Sequence, residues 1–310
     1  MLTNVYLFGI GSEIGLLVLL NVAHILLSAL AFRRRTVSQK RYILIFARST
    51  MNLLLPACFL WTYVPLTLVD RKVSLEWTCY GFPFMCGAAL SLELCYLCIC
   101  YLFYLATVRP IRFHRLRKAH CLYMIATALF FGALMTSCFL AAYEYSGTVA
   151  ECVRIITVGS MGSSLLPFSV NAVFLLRTYR LIPLRTSAAL RQASRRRLIL
   201  LAIQQNIAFV CSLLLASAIL VNLHNIASAN VSMRYYGRFF VCNPEEYAIT
   251  MRVMGIIYAL SFIRGFTDPA FDFALDPGLK AAFLRPTQLQ SSASLYSSRN
   301  TSRIQSPDSI

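Results

Sequence analysis

The chain is broken into seven long apolar runs, and that pattern decides most of what it can become. The runs cover about residues 6–32, 42–68, 79–108, 121–143, 155–176, 198–223 and 248–275. An α-helix that crosses a bilayer needs about 20 mostly apolar residues, because its backbone N–H and C=O groups must pair internally where no water reaches. Each run is long enough. Composition agrees: 58% of the 310 residues are hydrophobic and 13% are charged, against about 25% charged in an ordinary soluble domain. So few polar side chains cannot cover a water-exposed surface. The expected fold is all-α, a seven-transmembrane helix bundle.

Charge in the connections orients that bundle. The first connection carries Arg33, Arg34, Arg35, Lys40 and Arg41. The third carries Arg109, Arg112, Arg115, Arg117 and Lys118. The fifth carries Arg177, Arg180, Arg185, Arg191, Arg195, Arg196 and Arg197. None of the three holds an Asp or Glu. The alternate connections are sparse and mixed in sign: Asp70, Arg71, Lys72 and Glu76; Glu144, Glu151 and Arg154; Arg234, Arg238, Glu245 and Glu246. Cation-rich short loops stay in the cytoplasm. The expected topology therefore has the N-terminus outside and the C-terminus in the cytoplasm, in a multi-pass protein of the plasma membrane. No basic segment precedes the first run, and Arg33 to Arg35 follow it at once, which fits a signal anchor rather than a cleaved signal peptide. The net charge of +17 is thus a matter of topology. The cations fall in clusters between apolar runs without a nucleic-acid motif, so the expected partner is membrane lipid and not nucleic acid.

Residues 1–285 are expected to form the bundle, closed by a turn at Leu275-Asp276-Pro277-Gly278 and a short amphipathic inner helix from Leu279 to Arg285. Residues 286–310, rich in Ser, Thr, Gln and Asn, read as a disordered cytoplasmic tail. Asn230-Val231-Ser232 is a glycosylation sequon in an outer connection, which makes Asn230 the acceptor.

An ionisable side chain at the centre of a span costs about 2.5–3.5 kcal/mol on insertion scales unless something compensates it. Five stand out: Arg48, Glu93, Arg264, Asp268 and Asp272. Arg48 lies within two turns of the start of the second span and is expected to snorkel to the phosphate layer. Glu93 is mid-span, out of reach of either end, so it must face the bundle interior, either toward a ligand or in a structural pair. Arg264, Asp268 and Asp272 recur every four residues and share one helix face, where Arg264 and Asp268 are expected to pair. Pro269 removes one backbone hydrogen bond beside them and marks a hinge. Gln204, Gln205 and Asn206 in the sixth span suit interhelical hydrogen bonds. Cys95, Cys98 and Cys100 lie in an apolar span without a nearby His and read as packing residues rather than metal ligands. Cys79 and Cys152 fall at outer helix ends, where a disulfide is possible in an oxidising compartment.

Local motifs then follow one another in a telling order. Asn21 stands in the first span, and Tyr42-Ile43-Leu44-Ile45-Phe46-Ala47-Arg48 opens the second. Cys79 and Cys152 flank the outer ends, and Val108-Arg109-Pro110-Ile111-Arg112-Phe113-His114 follows the third span. Pro167 sits in the fifth, and Ser261-Phe262-Ile263-Arg264-Gly265-Phe266-Thr267-Asp268-Pro269 in the seventh. From about Asn21 to Phe283 the chain resembles the rhodopsin-like class of G protein-coupled receptors, and within it the fish-type odorant-receptor branch. There are departures. The acidic-Arg-Tyr triplet of the class falls on Leu102-Phe103-Tyr104, its second-span aspartate falls in the Asn52-Leu53 region, and the tyrosine after its seventh-span proline falls on Asp272. The sixth span has no proline, and Cys79 stands one residue closer to the triplet than the class pattern has it.

The resemblance implies a chemosensory receptor that binds a small-molecule ligand from outside and signals to a heterotrimeric G protein, with arrestin as a further partner. It implies a Cys79–Cys152 disulfide, a ligand contact at Glu93, and a hinge at Arg264, Asp268 and Pro269. The G-protein-facing residues would be Phe103, Tyr104, Arg109, Arg112, Arg115, Arg195, Arg196 and Arg197. Two other readings stay open. One is a degenerate chain that no longer couples and acts as a binding or scaffold protein. The other is a transporter or channel with Glu93, Arg264 and Asp268 as a polar path, although no inverted repeat supports it. No enzyme motif occurs. No cofactor is expected: the class holds retinal on a seventh-span lysine, and no Lys lies between Lys118 and Lys280.

Overall fold

The computed structural model describes residues 2–34, 39–68, 75–145, 149–181, 188–227 and 244–284. Among them the backbone is almost wholly helical and contains no strand. The helices are α1 (Leu2–Arg33), α2 (Gln39–Leu68), α3 (Leu75–Val108), α4 (Pro110–Arg115), α5 (Lys118–Tyr145), α6 (Val149–Leu181), α7 (Ala188–Ala227), α8 (Pro244–Leu275) and α9 (Pro277–Leu284). Among the described residues, six segments are long and apolar enough to cross a membrane: Phe8–Arg33, Gln39–Trp61, Pro83–Val108, Lys118–Ala142, Arg154–Leu181 and Ser194–Leu214. At 32 residues α8 also has the length, but the side chains of its residues 244–255 lie outside the described ones. Asn230 and the tail after 285 lie outside the described residues, and so do the side chains of Cys79 and Cys152.

The distribution of apolar side chains is that of a protein in lipid. Phe8, Leu19 and Leu26 on α1, Tyr123 and Phe130 on α5, and Val158 and Leu166 on α6 all face outward and exposed. Contiguous apolar surface on this scale is not tolerated in water. The polar side chains Asn21, Arg48, Asn52, Glu93, Gln204, Arg264 and Asp268 are buried instead.

Helix α3 is the axis of the bundle. It packs on α2, α5 and α6, and more lightly on α7. The circuit closes because α7 packs on α6 and α8, and α1 packs on α2 and α8. One apolar cluster ties five of these helices together, with Leu17 from α1, Phe59 from α2, Leu92 from α3, Ala208 from α7 and Phe262 from α8. The Phe59 and Phe262 rings meet edge-on, 5.4 Å between centroids.

Helices α3 and α5 approach closely, and small residues at four-residue spacing permit it. Gly87 and Ser91 on α3 face Ala128, Gly132 and Thr136 on α5. A Cβ built on Gly87 would lie 2.5 Å from the Gly132 carbonyl oxygen, and one on Gly132 would lie 2.5 Å from that of Gly87. Ser91 Oγ donates to the Ala128 carbonyl at 3.3 Å, and Thr136 Oγ1 to that of Pro83 at 3.3 Å. In lipid, where apolar surface gives helices no reason to associate, contacts of this kind supply the attraction.

Two short helices dress the cation-rich end. The expected inner helix is α9. Its start is capped by Asp276, whose Oδ1 accepts from the Gly278 N–H at 2.8 Å, with Pro277 at the first helical position. Leu279 and Ala282 are buried against Ala31 of α1, while Phe283 is exposed. Helix α4, in the connection after α3, is held by Lys40, whose Nζ donates to the Phe113 carbonyl at 2.6 Å and lies over the Phe113 ring.

Candidate functional site

Every ionisable group singled out in the spans belongs to one of two adjacent buried clusters. Arg48 of α2 is 0% exposed. Its Nη2 donates to Asp272 Oδ2 of α8, its Nε stands 3.7 Å from Asp268 Oδ2, and its guanidinium lies over the Tyr96 ring at 5.5 Å. Asp268 is the hub. Its Oδ2 accepts from Asn52 Nδ2 at 2.8 Å and from the Tyr96 hydroxyl at 2.5 Å, and its Oδ1 accepts from Gln204 Nε2 at 2.7 Å. Helices α2, α3, α7 and α8 therefore converge on one carboxylate. On the α1 side, His24 stands with Nε2 3.4 Å from Asp272 and Nδ1 2.9 Å from Ser49 Oγ.

A second cluster lies on the same face of α8, one turn earlier. Glu93 Oε1 accepts from Ser212 Oγ at 2.9 Å and from Arg264 Nη1 at 3.5 Å, and Gln205 Nε2 reaches its Oε2 at 3.5 Å. Arg264 Nη1 also donates to Ser212 Oγ at 3.4 Å. The two clusters set three carboxylates, Glu93, Asp268 and Asp272, against two guanidiniums, Arg48 and Arg264.

Two expectations are corrected here. Arg48 does not snorkel, because α8 brings Asp272 and Asp268 to it inside the bundle and a paired charge needs no route to water. Arg264 and Asp268 share a face but form no bridge with each other; Arg264 turns to Glu93, and Asp268 takes donors from three other helices. The expectation for the sixth span holds for Gln204 and Gln205, which bond across helices, whereas Asn206 Nδ2 donates to the Ala202 carbonyl of its own helix at 2.8 Å.

Pro269 has a partner the sequence did not suggest. Proline lacks an N–H, so the carbonyl four residues earlier, that of Gly265, loses its helical donor. Asn21 Nδ2 of α1 takes that place at 3.0 Å. Gly265 allows the approach, since a Cβ there would meet Leu17 Cδ1 at 2.6 Å. The signal for α1 was present in the sequence: Asn21, His24 and Ser28 recur at helical spacing, and all three are buried.

Five of the eight residues expected to face a G protein line a cavity of about 1230 Å³ at the cation-rich end. Phe103, Arg109, Arg112, Arg115 and Arg197 line it, joined by Arg41 and, at the network, Asp272. Tyr104 does not line it; its ring packs near Phe174, 5.8 Å away. Arg195 lies over the Tyr179 ring at 5.6 Å, and Arg196 is exposed. Glu93 lines neither this cavity nor the smaller apolar groove between α6 and α7.

Helices long and apolar enough to span, exposed apolar faces and a buried polar interior define a multi-pass, all-α membrane protein. No protein-family model matches the chain, and no curated protein matches it.

Proposed function

We propose that this protein is a seven-helix receptor of the chemosensory type, in which α8 is the seventh span. The N-terminus lies outside the plasma membrane and the cation-rich end faces the cytoplasm. A small-molecule ligand enters between the helices from outside, and a heterotrimeric G protein engages the cavity at the inner end. The observation that carries this reading is the link between cavity and network. Asp272 belongs to both, so a change in the pairing of α2 with α8 alters the cavity wall directly. Pro269 lies between Asp268 and Asp272 on α8, where a bend shifts the two carboxylates relative to each other around Arg48. The order of family-like motifs from Asn21 to Pro269 supports the chemosensory class.

Phe103 favours a second reading, a chain that binds but no longer couples. It lines the cavity where the class carries arginine, and it offers no charge to a partner.

The test is G-protein activation in cells displaying the chain, challenged with pooled odorants and amino acids, with Phe103→Arg run beside it. A ligand-dependent signal from the natural chain is expected. Signal from Phe103→Arg alone selects the second reading. Silence from both at full surface expression sinks the receptor reading and makes transport through the buried charges the next assay.

A further inference from the structure

The cavity at the cation-rich end has a chemistry of its own. Its charged rim is guanidinium throughout: Arg41, Arg109, Arg112, Arg115 and Arg197. The single carboxylate in its lining, Asp272, is already engaged by Arg48. Arg41 is held by Asp276 at 3.1 Å. Arg109, Arg112 and Arg115 have no acidic partner among the described residues. Lys40, the neighbouring lysine, is turned away onto Phe113. Several like charges around one concavity repel one another and raise its affinity for an anion. Guanidinium is also the cation whose planar fork matches phosphate oxygens in pairs.

Size and walls narrow the ligand. A typical small-molecule pocket is about 300–1,000 Å³, so a cavity of about 1230 Å³ is far too large for one phosphate. Arg112 and Arg115 are three residues apart on α4 and reach neighbouring groups on one ligand. Beneath the rim the wall is apolar, with Leu44, Ile99 and Leu102, which strengthens the attraction between arginine and anion by lowering the local dielectric.

We propose that this cavity binds an anion bearing clustered phosphates, of the inositol-polyphosphate kind, presented either as the headgroup of an inner-leaflet lipid or free in solution. The site does not depend on whether the chain couples to a G protein, and its assay contains none.

The full chain is purified into nanodiscs of neutral phosphatidylcholine and titrated with soluble inositol trisphosphate. In a parallel arm the nanodiscs contain a few per cent of phosphatidylinositol bisphosphate, and retained lipid is read by native mass spectrometry. The comparison is between Arg112→Gln/Arg197→Gln and Arg33→Gln, a change at an exposed α1 cation that does not line the cavity. Saturable binding that falls about tenfold or more in the double variant and stays within about twofold in Arg33→Gln is expected. Binding in the soluble arm identifies free anion as sufficient; binding in the lipid arm alone identifies the membrane as the source. The proposal fails if neither arm saturates, or if Arg33→Gln loses as much as the double variant, which would mean unspecific attraction to a basic surface.

Discussion

Arg48 of α2 and Asp272 of α8 meet inside the bundle, 224 positions apart in sequence, with the arginine wholly shielded from solvent. A buried pair of this kind is far costlier to break than to replace. Removing one partner leaves an uncompensated charge, and such losses run to about 3–5 kcal/mol. Arg48→Met is therefore expected to lower the thermal unfolding midpoint strongly. Arg48→Met with Asp272→Leu is expected to recover most of the loss, because neither charge then remains. If the single variant unfolds no earlier than the natural chain, Arg48 reaches the membrane surface after all.

The same reasoning separates two roles for Glu93. As a partner of Arg264, Ser212 and Gln205, it is part of the scaffold. Glu93→Leu is then expected to cost about 3–5 kcal/mol, with Arg264→Leu in the same chain restoring much of it. A residue that only touches ligand would show the reverse: unchanged unfolding and a shifted ligand response. Unfolding curves of the two single variants and the double variant decide between these outcomes.

How much of this was legible beforehand follows from what each signal encodes. Hydropathy is one-dimensional, so the runs gave the spanning helices to within a few residues for α2, α3 and α5. It missed the extension of α7 back to Ala188, because that part is cationic and leaves the apolar region. The polar residues were visible as residues but not as partners. Arg48 read as a snorkelling side chain because its distance from the helix end was known and its distance from α8 was not. Arg264 and Asp268 read as a pair because spacing places both on one face, yet it says nothing of the stronger partners across the bundle. Tyr96, three residues after Glu93, gave no sign of reaching Asp268. The α3–α5 contact was present as small residues every fourth position, at Gly87 and Ser91 and at Ala128, Gly132 and Thr136, but only the fold shows the two stripes face to face.

That contact predicts which glycines are indispensable. Gly87→Leu and Gly132→Leu drive a side chain into the backbone of the facing helix, where neither helix can yield locally. Overpacking of this kind costs about 1–3 kcal/mol or more. Gly162, with nothing within 4 Å of its virtual Cβ, is the control, and Gly162→Leu is expected to be close to neutral. Surface expression and unfolding midpoint should fall together for the first two and not for the third. Equal losses at all three would mean that the close approach of α3 and α5 is not what makes glycine necessary.

The contact between Asn21 and Gly265 makes a sharper prediction, because its need arises from another residue. With Pro269 in place, the Gly265 carbonyl has no helical donor, and Asn21 is the donor it has. Asn21→Leu leaves that carbonyl buried and unsatisfied, at an expected cost of about 1–3 kcal/mol. In Pro269→Ala the alanine N–H returns to the helix and satisfies the Gly265 carbonyl itself. Asn21→Leu should then cost distinctly less in the Pro269→Ala background than in the natural chain. The four unfolding midpoints of this cycle give the coupling directly. Equal costs in both backgrounds would show that Asn21 holds α1 to α8 for some reason other than the gap proline leaves.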